Sequence, residues 1–345
     1  MTRWFNVKNV PLGGGHPITV QSMTNTRTAD FDATFAQVER LAEAGCDIVR
    51  VTLNEQAAVA SFARLCHESK VPIVADIHYD HRLALAAVEA GAAKIRINPG
   101  NLADEIAVRQ VAEACLCHGI GIRIGVNAGS LSADAEGQTI PEKMVYSALR
   151  QAAMLEAWGL KDICISVKSS SVADTYSAYR MLHDRCDYPL HIGVTEAGIG
   201  EDALAKSYAC MGGLLLEGIG DTLRVSLTDD PVREVEAGIR LLRALGIRRD
   251  YVNIIACPTC GRTTYDVMAV ASKLRELTKD IRRPLTVAVM GCVVNGLGEG
   301  ASADLGVAGG KDRSVVFAGG KRVATVDNDE VLPTLLRLIE EACRG

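Results

Sequence analysis

The chain has 345 residues, of which 48% are hydrophobic, 23% charged and 4% aromatic, with a formal net charge of −5. That profile fits an ordinary folded protein with an aliphatic core and excludes a disordered or fibrous chain. The acidic balance excludes a general nucleic-acid binder, which needs a basic face to displace counterions from phosphates, and no apolar run approaches the roughly 20 residues that span a bilayer. From this length we expect one large unit followed by a smaller one. The N-terminal stretch MTRWFNVKNV lacks the apolar centre of a signal peptide, so the expected location is the cytoplasm.

From residue 18 onward, short β-branched runs alternate with amphipathic helical segments. The runs are ITVQS, DIVRVT, VPIVADIH, AKIRIN, GIRIGV, DICISVK, LHIGVTE and TLRVSL. Between them, Phe35, Val38, Leu41 and Ala42 form one helical stripe, and Leu83, Ala86, Ala87 and Ala90 form another. Eight such units in residues 1–248 predict a (β/α)8 TIM barrel. A doubly wound sheet is the rival, but VQSMTNT is not the glycine-rich phosphate loop that would follow its first strand.

The strand ends carry the chemistry, because a parallel barrel collects its functional groups at the C-terminal rim. Arg50, His78, Arg96, Arg123, Lys168, Glu196 and Arg224 close their runs, with Asn98, Asn101, Asn127, Thr195 and Ser226 on or just after the same ends. Five cations converging on one mouth repel each other unless an anion neutralises them. A phosphate or diphosphate suits the planar fork of arginine. Each arginine alone could simply pair with a rim carboxylate, yet Asp76 and Glu196 are the only obvious strand-end acids.

Asp230 and Pro231 predict a helix start, with Val232, Val235, Ile239 and Leu242 on one face. Residues 249–345 then read as a smaller α+β domain, with strands YVNIIA, LTVAVM, LGVAG, SVVFAG and RVATV and helices near 265–277 and 328–343. Eleven cysteines are many for a reducing compartment. Most sit singly in apolar patterns and read as small buried hydrophobes. Cys257 and Cys260 form a C-x-x-C after one strand, and Cys292 follows another. If those strands are parallel neighbours, the three thiols converge.

A thioredoxin-like pair would leave Cys292 without a role. A structural zinc site would want a fourth Cys or His, and no His follows His191. An iron–sulfur cluster accepts three thiolates and leaves one iron to a weaker ligand. The candidate fourth ligand is Glu299 in NGLGEG, where Gly296, Gly298 and Gly300 are expected to let the backbone turn tightly, including at positive φ. At this level a redox enzyme, a non-redox phosphate-binding barrel carrying a zinc domain, and a non-catalytic redox sensor all stay open.

Taken together, VQSMTNT, DIVRVT, VADIHYD, RINPGN, RIGVNAGS, GVTEAG, EGIGDTLRVSL, ACPTCGR and GCVVNGLGE resemble the bacterial-type, two-domain 4-hydroxy-3-methylbut-2-en-1-yl diphosphate synthase family along essentially the whole chain. The resemblance implies a barrel that binds 2-C-methyl-D-erythritol 2,4-cyclodiphosphate, followed by a domain with a [4Fe-4S] cluster fed by reduced flavodoxin or ferredoxin. It implies Cys257, Cys260, Cys292 and Glu299 as cluster ligands. It implies Arg50, Arg96, Arg123, Asn127, Lys168 and Ser226 around the diphosphate, with Arg224 and His78 as further contacts and Glu196 as the acid for proton transfer; Thr195 is a candidate contact from its strand-end position alone. It also implies a homodimer in which the cluster domain of one copy caps the barrel of the other. Leu297 stands where the family usually has proline, which is expected to loosen the loop carrying Glu299.

Overall fold

The computed structural model describes residues 1–98, 104–131, 134–296 and 298–344, with the side chains of Asn295, Glu299 and Ala301 outside the description. Asn101 and Leu297 therefore lie outside the described residues. The chain divides into two compact units, Met1–Leu245 and Gly246–Gly345.

The first unit opens with a hairpin, β1 (Trp4–Val7) and β2 (Val10–Gly13), that precedes the region expected to be regular. Its turn places Lys8 at φ 57, a left-handed conformation unusual for a side-chain-bearing residue. Parallel strands follow: β3 (Thr19–Met23), β4 (Ile48–Thr52), β5 (Ile73–Asp76), β6 (Lys94–Ile97), β7 (Gly121–Asn127), β8 (Ile163–Lys168), β9 (His191–Ile192) and β10 (Thr222–Leu223). Their hydrogen-bonded order is β8-β7-β6-β5-β4-β3-β10-β9, and a parallel bridge between Ile165 and Leu190 joins the two ends. The expected eight-stranded barrel is thus observed.

Helices α1 (Phe31–Glu43), α2 (Val59–Glu68), α3 (His81–Glu89), α4 (Glu105–His118), α5 (Ile140–Ala157), α6 (Val172–Arg185), α7 (Gly200–Leu216) and α8 (Pro231–Ala244) connect the strands. Local sequence starts them. Asp30, Asp80, Asp104 and Asp230 each cap an exposed helical N–H, and Thr139 with Glu142 makes a reciprocal capping box on α5. Each such cap contributes about 1 kcal/mol.

Alternation along the strands then sorts the side chains into two environments. Val49 and Val51, Ile95 and Ile97, and Ile122 and Ile124 join the large core under the helices. Their neighbours Arg50, Lys94, Arg96 and Arg123 point the other way, into the barrel. The N-terminal end of that interior is closed by the hairpin. Phe5, Val7 and Leu12 pack with Ile48, Val74, Ala93 and Cys164 in a separate buried cluster. A Cβ at Gly121 would overlap the Phe5 ring, so glycine at the start of β7 admits the plug.

The second unit is a five-stranded sheet in the order β11 (Val252–Ala256), β12 (Leu285–Met290), β13 (Leu305–Ala308), β14 (Arg313–Ala318) and β15 (Lys321–Asp327). The first three strands run parallel and the last two antiparallel. Helices α9 (Val267–Thr278) and α12 (Val331–Arg344) supply Leu274, Leu335 and Ile339 to its core beside Val287 and Val307. Among the described residues no helix is long and apolar enough to cross a membrane.

The glycine-rich stretch after β12 departs from expectation. It forms two short helices, α10 (Val293–Gly296) and α11 (Glu299–Ser302), and Gly298 between them has φ −88, so none of the three glycines there is left-handed. Close packing explains one of these glycines: a Cβ at Gly296 would overlap the Ala308 methyl.

Candidate active site

The C-terminal end of the barrel gathers the expected cations. Arg50 on β4, Arg96 on β6, Arg123 on β7 and Lys168 on β8 all project inward, and the charges of Arg123, Arg50, Arg224 and Arg96 all act on Lys168. Arg96, Arg123 and Lys168 are buried. Two inward glycines make room for them. A Cβ at Gly125 would lie 2.8 Å from Arg96 Nε, and one at Gly193 would lie 2.8 Å from Lys168 Nζ.

Asp76 anchors part of this group. Arg96 Nη1 donates to Asp76 Oδ1 at 3.0 Å, Arg50 Nε lies 3.8 Å from Oδ2, and His78 Nε2 lies 3.3 Å from the same oxygen. Burial alone would raise the Asp76 carboxyl, but the opposing field of Arg50, the hydrogen bond from His78 and the field of Arg96 hold it well below the usual carboxylate range. Asp76 therefore stays ionised throughout the physiological range.

Arg224 is differently placed from the other cations. It lies just beyond β10, and its Nε and Nη2 donate to Glu234 Oε2 and Oε1, both at 3.1 Å. Glu234, buried on α8, also accepts from Ser22 Oγ at 2.8 Å and the Leu227 N–H at 3.0 Å. The Arg224 charge is therefore already matched within the protein, which leaves it an orienting group more than a free anion receptor. Sequence reading passed over Glu234 because acids on amphipathic helices are ordinarily solvated. It also passed over Met23, whose thioether accepts from Arg50 Nη2 at 2.9 Å and lies 3.8 Å from Arg224 Nη1.

The last two barrel strands end earlier than expected, after Ile192 and Leu223. Thr195, Glu196, Arg224 and Ser226 consequently sit in the loops that follow the strands, and the strand-end placement of Glu196 and Arg224 is corrected to this. Glu196 has φ 51, which a strand cannot accommodate, and it is exposed. Such a left-handed non-glycine residue costs of order 1 kcal/mol or more and is typical of functional turns. Thr195 and Ser226 are half-buried, and Asn127 ends β7 in register with Lys168.

Among the described residues, Arg123 and Lys168 have no carboxylate within ion-pair reach. Burial and the neighbouring arginines push the Lys168 ammonium well below the ordinary lysine range. Burial and Arg96 bring Arg123 down to about 10, which still leaves it charged near neutrality. A bound anion favours the protonated ammonium, so binding takes up a proton once the pH exceeds the depressed value. Anion affinity accordingly falls as pH rises through that region. Calorimetric titration with sulfate, which carries no titratable proton in this range, in two buffers of different ionisation enthalpy should show proton uptake, and Lys168→Met should lose it.

In the second unit, parallel pairing sets Ala256 opposite Val289, so Cys257 and Cys292 leave neighbouring strands at the same sheet end. The Gly291 N–H donates to Cys257 Sγ at 3.2 Å. Thr259, inside C-P-T-C, has φ 63, and the Cys260 N–H donates to Thr263 Oγ1 at 3.1 Å. Thr264 N–H and Oγ1 both donate to the Gly291 carbonyl, at 3.0 and 3.2 Å, tying the C-x-x-C turn to the residue before Cys292. Cys260 is exposed, while Cys257 and Cys292 are half-buried. Among the described residues no three His, Cys, Asp or Glu side chains already stand at metal-ligand spacing. Glu299 opens α11, with its side chain outside the description.

A cationic barrel mouth on one unit and a three-cysteine sheet end on the other agree with comparison to known proteins. The GcpE TIM-barrel domain matches residues 2–239, and the GcpE protein C-terminal domain matches residues 253–341. The chain belongs to the GcpE family. Its relatives include proteins named 4-hydroxy-3-methylbut-2-en-1-yl diphosphate synthase (flavodoxin). The one from Caldanaerobacter subterraneus is 48% identical over 99% of this chain and 97% of its own. That from Acinetobacter baylyi is 44% identical over 99% of this chain and 92% of its own.

Among solved structures, the GcpE barrel is similar in fold to dihydropteroate synthases. The enzyme from Yersinia pestis gives a TM-score of 0.53 at 13% identity, and that from Xanthomonas albilineans 0.52 at 15%, each covering 71% of this chain and 98% of the other. At that identity the likeness speaks to fold alone.

Proposed function

We propose that this GcpE-family chain is an iron–sulfur oxidoreductase that converts 2-C-methyl-D-erythritol 2,4-cyclodiphosphate to (E)-4-hydroxy-3-methylbut-2-enyl diphosphate in isoprenoid precursor synthesis. The observation that carries this reading is the surplus of buried cations at the barrel mouth, which suits a small doubly charged diphosphate. Two electrons and two protons enter; the ring carbon–oxygen bond breaks to leave a terminal phosphate, and a hydroxyl departs as water. Reduced flavodoxin, the donor in the relatives' names, is the expected electron source, with ferredoxin as the alternative.

Arg50, Arg96, Arg123 and Lys168, with Asn127 and Ser226, hold the diphosphate oxygens. Fixed donors in a site shielded from water stabilise charge as it shifts between ring and terminal phosphate, without reorganising during the reaction. Arg224 is held in orientation by Glu234. His78, set by Asp76, and Thr195 complete the rim. Glu196 protonates the departing hydroxyl, and its left-handed turn presents the carboxyl from a loop.

Cys257, Cys260, Cys292 and Glu299 would hold a [4Fe-4S] cluster. The donor set suits such a cluster: Cys257 and Cys292 follow neighbouring parallel strands at one sheet end, and a backbone N–H already points at one sulfur, the kind of contact that tunes cluster potential. When bound, the cluster supplies one-electron transfer between donor and substrate. Because the mouth and the cysteines belong to separate compact units, we propose a homodimer in which the cluster unit of one copy caps the barrel of the other and excludes water.

The test is anaerobic purification followed by turnover with reduced flavodoxin. The expected protein is brown, carries about four irons per chain, and forms the allylic diphosphate only when reductant is present. A colourless, zinc-loaded protein that turns over without reductant would overturn the proposal.

A further inference from the structure

Three neighbouring strands set a sulfur among the cations. The order β4-β3-β10 places β3 between the strand that carries Arg50 and the strand that leads into Arg224, and Met23 at the end of β3 pairs in register with Arg50. The Met23 sulfur accepts from Arg50 Nε at 3.2 Å and from Arg50 Nη2 at 2.9 Å, so it occupies the side fork of that guanidinium. From the other strand, Arg224 Nη1 donates to the same sulfur at 3.8 Å. One thioether thus joins two arginines.

The two arginines are held differently. Arg224 closes its own side fork, Nε and Nη2, on Glu234, which is fixed in turn by Ser22 Oγ and the Leu227 N–H. Arg50 has Asp76 at 3.8 Å from Nε, inside ion-pair range but longer than a hydrogen bond. Among the described residues, the sulfur is therefore the hydrogen-bond acceptor of the Arg50 guanidinium, and Arg50 Nη1 has no partner. The Arg50 side chain is 11% exposed, so the end it leaves unpaired is within reach of a ligand.

The chemistry of position 23 fits this arrangement. A carboxylate there would take the Arg50 fork with two charge-assisted hydrogen bonds and cancel its charge. Leucine would fill similar space and offer no acceptor. A thioether is a neutral, weak acceptor on an unbranched, adaptable side chain, so it can fix the direction of a guanidinium and leave its charge intact.

We propose that Met23 is a positioning residue for the substrate: anchored through Arg224 and Glu234, it holds the side fork of Arg50 and leaves Nη1 to meet a phosphate oxygen. Met23 acts through Arg50 and takes no part in bond breaking. This inference rests on the diphosphate pocket proposed above and adds to it what aims one of its cations.

The test measures binding of inorganic pyrophosphate to the anaerobically purified full chain by calorimetry, in the wild type and in Met23→Leu, Met23→Gln and Met23→Glu. Met23→Leu loses the acceptor and should bind about 5- to 10-fold more weakly, the worth of one ordinary hydrogen bond. Met23→Gln restores a neutral acceptor on a chain of similar length and should return to within about threefold of the wild type. Met23→Glu should lose at least about 100-fold, because its carboxylate competes with the anion for Arg50. KM for the cyclic diphosphate should follow the same order with kcat level, the pattern of an interaction shared by ground and transition states. A packing role gives the reverse ranking, with the apolar Met23→Leu intact and the polar Met23→Gln impaired. That ranking, or an affinity unchanged in Met23→Leu, would overturn the proposal. A wild-type chain that binds no pyrophosphate would remove the diphosphate pocket itself and this inference with it, so the two failures are told apart.

Discussion

Cys292→Ser yields a colourless protein that has lost its iron and at least about 100-fold of its activity, since perturbing even the outer-shell partners of metal sites costs 10–100-fold. Serine oxygen is a hard, weakly acidic ligand and a poor substitute for thiolate at iron. Cys292 leaves β12 next to Gly291, whose N–H meets Cys257 Sγ and whose carbonyl takes both donors of Thr264. Those contacts belong to the Gly291 backbone and survive the substitution, so the loss reports on the Cys292 sulfur itself. Iron and sulfide counts with the visible spectrum check the result, and Cys117→Ser, at an exposed cysteine on α4, is the matched control that keeps its iron. A Cys292→Ser protein that stays brown and active would remove Cys292 from the ligand set.

Arg123→Met should weaken substrate capture and raise stability together. Arg123 is 1% exposed, its Nε has no partner, and Arg96 is the neighbour that most opposes its charge. Removing a buried charged contact to a bound anion costs about 2–5 kcal/mol, a loss of about 30-fold to several thousand-fold in kcat/KM. Replacing a buried charge that lacks a counter-ion by an apolar side chain of similar length gains of order 1–4 kcal/mol. Kinetics and thermal melting check the two halves. An unchanged kcat/KM would exclude Arg123 from the site, and a lowered Tm would show that its charge is matched in the empty protein. Mixing this variant with Cys292→Ser should restore part of the activity if each site is assembled from two copies.

The barrel was legible because its signal repeats. Eight β-branched runs at regular spacing, each followed by a helical stripe, constrain the fold even where single boundaries shift. The short β9 and β10 were misjudged because hydrophobicity continues past Ile192 and Leu223, while the backbone leaves the sheet at Gly193, where Lys168 fills the space, and at Arg224, which turns to Glu234. Lys94 was within reach of the same reasoning. It stands two residues before Arg96, so strict alternation puts both on the inner face, but attention to strand ends left it out. Glu234 and Met23 were not readable, since nothing local distinguishes an acid under the sheet from a solvated one or a core methionine from one that accepts from two arginines. The N-terminal hairpin was missed although Phe5, Val7 and Leu12 alternate correctly, because its partners at Gly121 and Cys164 are more than a hundred residues away.

That hairpin makes the barrel a blind vessel instead of a tube. With the first thirteen residues in place, the cationic interior meets solvent at one end only, and the low dielectric that strengthens each charge interaction there survives. Without them, Ile48, Val74 and Cys164 would line a second opening, and water could flood the interior from behind. A segment that contributes no group to the chemistry thus governs how strongly every charge in the barrel is felt.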